Sequence, residues 1–293
     1  MTGLATSISF RSGIFNIGGE GQLYLGAFGA ALVGITLINL PGLIGIPLAL
    51  LVSAIAGGLY ALLPAILRVK YNIDEVIVTI MLNTVAVLLT GYLVNYPFAA
   101  DVGKLGATEI IGEGYHLSRL VRLSTLNTSI FHVIVITIIM YYLLERTSIG
   151  YEIKMVGQNM NFSRYGGINV KRRMIFAMVV SGILCGIAGA FEVLGVHYRF
   201  LQHISPGYAW DGMLIALIVK NNPLGVVLMA LFFGALKTGS ISMENATGIP
   251  SELISVIQSI IILFIAGEAG FKDKIKGYFA RKRLSKKAGE KNA

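Results

Sequence analysis

Seven apolar stretches, each long enough or nearly long enough to cross a bilayer, constrain this chain more than any other feature. They run over 22–40, 42–67, 73–96, 129–144, 174–196, 223–236 and 251–267; an eighth, 207–219, is shorter and reads as a broken or tilted span. A helix needs about 20 apolar residues to cross roughly 30 Å of hydrocarbon, and lipid offers a spanning backbone no hydrogen-bond partner but itself. The expected fold is therefore all-α, a polytopic helical membrane protein with about 7–9 transmembrane helices. Only 13% of the residues are charged and mean hydropathy is +0.74, against about 25% charged in soluble domains.

The net charge of +9 sets an orientation through its placement. The tail 272–293 carries nine basic residues against Asp273 and Glu290. That reads as cytoplasmic retention under the positive-inside rule rather than nucleic-acid binding. With the C-terminus cytoplasmic, counting spans backwards puts Arg146, Lys154, Arg164, Lys171, Arg172 and Arg173 on the same side, with Arg68, Lys70 and Lys220. Lys104, Arg119, Arg122, Arg199 and Lys237 fall outside. The chain thus divides into a transmembrane domain, 1–271, and a basic cytoplasmic tail, 272–293. Within the first lie a cytoplasmic segment, 146–173, and an outer loop, 97–128. The outer loop either caps a pore, receives a soluble partner or is plainly solvated. The apolar residues 1–10 are too few to span, so the N-terminus is either re-entrant or the end of a longer helix. No charged region precedes them, which argues against a cleavable signal peptide.

Several chemistries have no residues to carry them. Cys185 is the single cysteine, so an internal disulfide and Cys-based zinc spacing are ruled out. His116, His132, His197 and His203 share no metal-ligand spacing such as HExxH. No catalytic residue, metal site or enzyme activity is expected. An ion-coupled transporter would need buried carboxylates, and only Glu20 is placed deep, because Glu192 and Glu268 lie near span ends.

The stretch FRSGIFNIGGEGQ, residues 10–22, sets polar groups among four glycines between apolar segments. Asn16, Glu20 and Gln22 suit a water-filled path, since intramembrane polar residues are functional candidates by default. A structural alternative pairs Arg11 with Glu20 and lets Asn16 bond backbone amides freed by the glycines. Thr79 and Asn83 share a helical face with Thr90, and Ser255 and Gln258 do so with Ser259. Such neutral hydrogen-bonding groups suit an uncharged polyhydroxylated solute or, alternatively, interhelical bonds. In 174–196, Ser181, Gly182, Cys185, Gly186, Gly189 and Ala190 form a small-residue stripe that permits close helix packing. The segment 146–173 is too polar to span and long enough for one or two short helices, either docking another protein or lying on headgroups.

Four blocks carry a family resemblance. They are FRSGIFNIGGEGQ, NIDEVIVTIMLN, the segment GYEIKMVGQNMNFSRYGGINVKRRM with its following glycine-rich helix, and NNPLGVVLMALFFGALKTG. Together they resemble bacterial ABC-importer permeases of the branched-chain amino acid, ribose and nucleoside group, closest to the nucleoside and simple-sugar branch. Such permeases usually carry a further helix or two ahead of the first block. The resemblance implies residence in the bacterial cytoplasmic (inner) membrane and an assembly with ABC ATPase subunits, a second permease that is paralogous rather than identical, and an extracytoplasmic substrate-binding protein. It implies that 146–173 couples to the ATPase through Gly150, Val156, Gly157, Asn159, Arg164, Tyr165, Gly166 and Gly167. The cargo would be a nucleoside or related neutral solute, with ribose-type sugars or riboflavin as alternatives. The chain has no GxxxxGK[ST] phosphate loop. It is therefore expected to need no cofactor, with ATP bound by the partner subunit. Membrane lipid is the remaining expected partner.

Overall fold

The computed structural model describes residues 1–100, 106–121, 125–248 and, beyond these, 253, 256, 257, 259 and 260. They fall into two compact units, Met1–Leu228 and Met229–Ala293. Ten α-helices occur among the described residues: α1 Thr2–Arg11, α2 Gly19–Thr36, α3 Gly42–Tyr71, α4 Glu75–Asn95, α5 Ser129–Arg146, α6 Ser148–Gln158, α7 Met160–Tyr165, α8 Val170–Phe191, α9 Tyr208–Ile218 and α10 Pro223–Thr247. A π-helical turn, Glu192–His197, continues α8. The all-α membrane fold therefore forms. Five of these helices are long and apolar enough to cross a membrane: α3, α4, α5, α8 with its π-turn, and α10. The second unit contributes the later part of α10. Ser255, Gln258, residues 261–267 and the tail 272–293 lie outside the described residues.

The first unit is organised around α8, which packs against α2 and α3. Its small-residue stripe sets the separation. A methyl group on Gly186 would land on the Ser53 carbonyl of α3, one on Gly182 on the Gly57 carbonyl, and one on Gly189 on the Leu23 carbonyl of α2. Lipid tails are as apolar as leucine, so membrane helices associate through such close contact and not through exclusion of water. Ser53 reinforces the crossing by donating to the Gly26 carbonyl at 2.7 Å.

Two spans are broken. The chain breaks between α1 and α2 over residues 12–18, where Gly13 takes φ +78°. It breaks again after the π-turn, where Tyr198 takes φ +55° and the chain turns back into the bundle with Phe200 and Ile204 buried. That segment leads to α9, whose 11 residues rise about 16 Å, half the bilayer core. The expected 207–219 span is thus a half-helix fed by a re-entrant strand of chain. Irregular backbone is tolerated at such depth where protein satisfies it, and here it does. Thr108 N–H donates to the Phe200 carbonyl at 3.0 Å, Ile111 N–H to the Tyr198 carbonyl at 2.9 Å and Gln202 N–H to the Gly106 carbonyl at 2.8 Å.

Those bonds also fix the fate of the 97–128 loop. Its described part is a packed cap rather than a plainly solvated loop. Tyr115 is fully buried, its ring against Gly45 and its hydroxyl donating to the Leu37 carbonyl at 2.9 Å. Asn127 donates to the Gly195 carbonyl at 3.1 Å. The other end of the bundle carries α6 and α7.

Candidate functional site

The residues of the 10–22 stretch divide into two groups with different partners. Arg11 pairs with Glu145 of α5 at 2.6 Å and donates through Nε to the Asn221 carbonyl at 2.8 Å. The alternative that joined it to Glu20 is therefore corrected. Arg11 closes α1 at the end of the bundle that carries α6, whereas Glu20 opens α2 further in. Gly13 lies against Gly157 of α6, and a methyl on Gly157 would meet the Arg11 carbonyl. Ile14 packs in one apolar cluster with Val156 of α6, Ala61 and Ala65 of α3, and Val170, Met174 and Met178 of α8.

The second group forms a hydrogen-bonded knot. Asn16 and Gln22 exchange amide bonds at 3.0 and 3.1 Å. Asn16 also donates to the Ser181 hydroxyl of α8 at 2.8 Å and accepts from Gly18 N–H at 3.0 Å. Asn83 of α4 accepts from Gly21 N–H at 2.8 Å and donates to the Ile17 carbonyl at 2.9 Å, so it joins α4 to the break. Thr79 and Thr90 donate to carbonyls one turn back, at 2.7 and 2.8 Å. Glu20 accepts from Ala209 N–H at 3.1 Å. Its carboxylate thus lies at the N-terminus of α9, where negative charge is favoured by the helix dipole. Asn16, Gln22, Thr79, Asn83 and Glu20 are all buried. The structure brings these five path candidates to one place, where α2, α4, α8 and α9 meet. Ser255 and Gln258 lie outside the described residues.

The 146–173 segment folds as two short helices. Thr147 caps α6 by accepting from Gly150 N–H at 3.2 Å, and Gly150 presses on the carbonyls of Leu143 and Leu144. Ile153 and Val156 are fully buried. Asn159 caps α7 by accepting from Phe162 N–H at 3.0 Å, and Gly167 at φ +80° lets the chain leave it. Glu152 and Arg173 form an ion pair at 2.6 Å that ties α6 to the first turn of α8. Of the expected coupling residues, Gly150 and Val156 are buried, Gly157 bears on the Arg11 carbonyl and Asn159 caps α7 although both are exposed, and Arg164, Tyr165, Gly166 and Gly167 are exposed as well. Phe162 is 66% exposed and Tyr165 94%, with Tyr151, Lys154, Lys171 and Arg172 also exposed. This is a basic-aromatic surface carried on helices that are anchored from behind.

Sequence reasoning missed the contact between the break and α6. Gly13 and Gly157 lie far apart in the chain, and the only signal was that both are glycines in unusual polar segments. It also missed Ser205, whose hydroxyl accepts from Tyr208 N–H at 3.1 Å and shares the α9 N-terminus with Glu20.

Broken spans, a glycine-packed centre and a surface-displayed helix pair at one end make this a polytopic helical membrane domain. The chain belongs to the family described as branched-chain amino acid transport system / permease component, whose model matches residues 1–266. It is 36% identical to the guanosine ABC transporter permease protein NupP of Bacillus subtilis (strain 168), over 91% of this chain and 77% of that one. It is 34% identical to the nucleoside ABC transporter permease protein NupB of Lactococcus lactis subsp. cremoris (strain MG1363), over 91% and 75%. The glucose ABC transporter permease protein TsgB13 of Haloferax volcanii is 30% identical, over 93% and 74%. No solved structure matches.

Proposed function

We propose that this chain is the permease subunit of an ATP-driven importer that passes a nucleoside or related neutral solute. ATP is hydrolysed by a separate ATPase, and the solute is delivered by a binding protein at the capped end of the bundle. The α6–α7 end and the basic tail then face the cytoplasm, as the basic residues of 146–173 favour. The observation that carries the reading is the seating of α6. Its outer face is free, while its inner face rests through Gly157 and Val156 on Gly13 and Ile14, next to the break between α1 and α2. Movement of α6 by a docked ATPase is thereby passed to the polar knot at Asn16, Glu20, Gln22, Thr79 and Asn83. These residues belong to the translocation path, with Ser255 and Gln258. The nucleoside assignment is supported by the names of NupP and NupB; a sugar is the second reading, supported by TsgB13.

The test is ATPase activity of the complex reconstituted with its ATPase, second permease and binding protein. Activity is measured with guanosine, uridine, ribose or riboflavin, in wild type and Gly157→Ala. Nucleosides are expected to stimulate the wild type, and stimulation is expected to be lost in Gly157→Ala although the complex still copurifies. Uptake that follows an ion gradient with no associated ATPase overturns the reading.

A further inference from the structure

A groove of about 480 Å³ opens beside the C-terminal half of α4, between that helix and the re-entrant segment at Gln202 and His203. It lies away from the polar knot, and its chemistry is different. Tyr92 and Tyr96, one turn apart, stand with ring centroids 5.0 Å apart and planes tilted by 33°. They are 59% and 72% exposed. Asn95 projects between them and the re-entrant segment, donating to the Gly91 carbonyl at 2.7 Å and to Gln202 Oε1 at 3.2 Å. Those bonds use the Asn95 amide nitrogen and the Gln202 amide oxygen. Asn95 Oδ1 and Gln202 Nε2, an acceptor beside a donor, have no partner among the described residues. Among the described residues, the lining holds no carboxylate, lysine or arginine.

We propose that this groove binds the base of a nucleobase-bearing solute, with the base stacked on Tyr92 or Tyr96 and its edge paired to Asn95 Oδ1 and Gln202 Nε2. Aromatic faces hold any base through its π-surface, and carboxamides match the adjacent donor and acceptor of a base edge. The volume falls within the usual range for small-molecule sites, about 300–1,000 Å³. A free sugar offers hydroxyls but no planar edge, so this lining discriminates for the base. The assignment rests on the nucleoside reading of the cargo and adds where the base is read. A tyrosine pair at a membrane interface also serves as an anchor in the headgroup region. Anchoring, however, needs no pair of carboxamides bonded to one another beside it.

The test uses the full complex in proteoliposomes, photolabelled with 8-azidoadenosine and mapped by mass spectrometry. Label is expected on peptides spanning 87–96 or 198–208, removed by excess guanosine or uridine and not by ribose. In parallel, Tyr92→Leu/Tyr96→Leu is expected to lower nucleoside uptake roughly tenfold through lost stacking. Tyr92→Phe/Tyr96→Phe keeps both rings and is expected to stay within about twofold of wild type. If the wild-type complex imports nucleosides but labels elsewhere in this chain, the groove assignment falls and the permease reading stands. If it imports ribose and no nucleoside, the cargo reading falls and the groove assignment with it. Labelling of the wild type decides the matter even where the leucine variant fails to assemble.

Discussion

Asn16 holds more of the bundle than its size suggests. Its one carboxamide serves Gln22, Ser181 and Gly18 N–H at once, and it is buried together with Gln22 and Ser181. Removing one partner of a buried bond leaves the other with its desolvation cost, about 1–3 kcal/mol per group. Asn16→Ala is therefore expected to lower the unfolding temperature in detergent clearly, and Gln22→Ala by a comparable amount, because each strands the other's amide. The double variant should lose less than the sum of the two, since the reciprocal pair is counted in both singles. A residue that only touched cargo would instead change uptake and leave the unfolding temperature unmoved. Gly13 is a second residue under local constraint. At φ +78° a side chain is strained whatever its contacts, so Gly13→Ala should destabilise the break by about 1 kcal/mol, read in the same melting experiment.

Among the elements, α9 and α8 show opposite solutions to burial in lipid. α9 begins inside the bundle and so presents the N–H groups of its first turn there. Ser205 and Glu20 satisfy them, with the carboxylate also complementing the dipole. Glu20→Gln keeps an acceptor, whereas Glu20→Ala removes it. The alanine variant is expected to be the less stable by roughly 1 kcal/mol, the usual worth of an N-terminal cap. Differential scanning fluorimetry of the purified chain measures this. α8 instead satisfies its backbone internally and uses the absence of side chains to approach α2 and α3. Gly186→Leu places a side chain where the Ser53 carbonyl lies. It should abolish assembly rather than merely weaken it, because helices that cannot approach lose the dispersion contacts along the crossing. Gel filtration in detergent and copurification of the ATPase report the loss.

At the scale of the whole first unit, the two ends do different work. The capped end is closed by chain that bonds to chain, through Tyr115, Asn127 and the 106–111 pairing with 198–202. The other end displays aromatic and basic side chains on α6 and α7 and buries only their inner stripe. In the proposed cycle, force enters at that displayed surface and reaches the break through Gly157 and Gly13. Loss of coupling in Gly157→Ala should thus be separable from loss of docking. Tyr165→Ala, which removes an exposed ring, is expected to weaken ATPase copurification, while Gly157→Ala preserves copurification and loses nucleoside stimulation.

The length and apolar character of the stretches were enough to determine an all-α membrane fold, most of its helices and the polar character of 146–173, because the bilayer imposes those constraints on each segment separately. Span ends were legible less well. α2 begins at Gly19, ahead of the apolar run, because Glu20 finds a partner at the start of α9 and Gln22 one in the preceding break, and α10 continues to Thr247 through polar residues. The motif blocks pointed to Asn16, Asn83 and Gly157, but not to what each one touches. Tertiary structure alone decided that Arg11 meets Glu145, that Glu20 caps α9, and that Gly13 bears on Gly157. These are contacts between residues distant in the chain. Their partners are chosen by which helices the glycine stripe of α8 draws together, and no local pattern in the sequence records that choice.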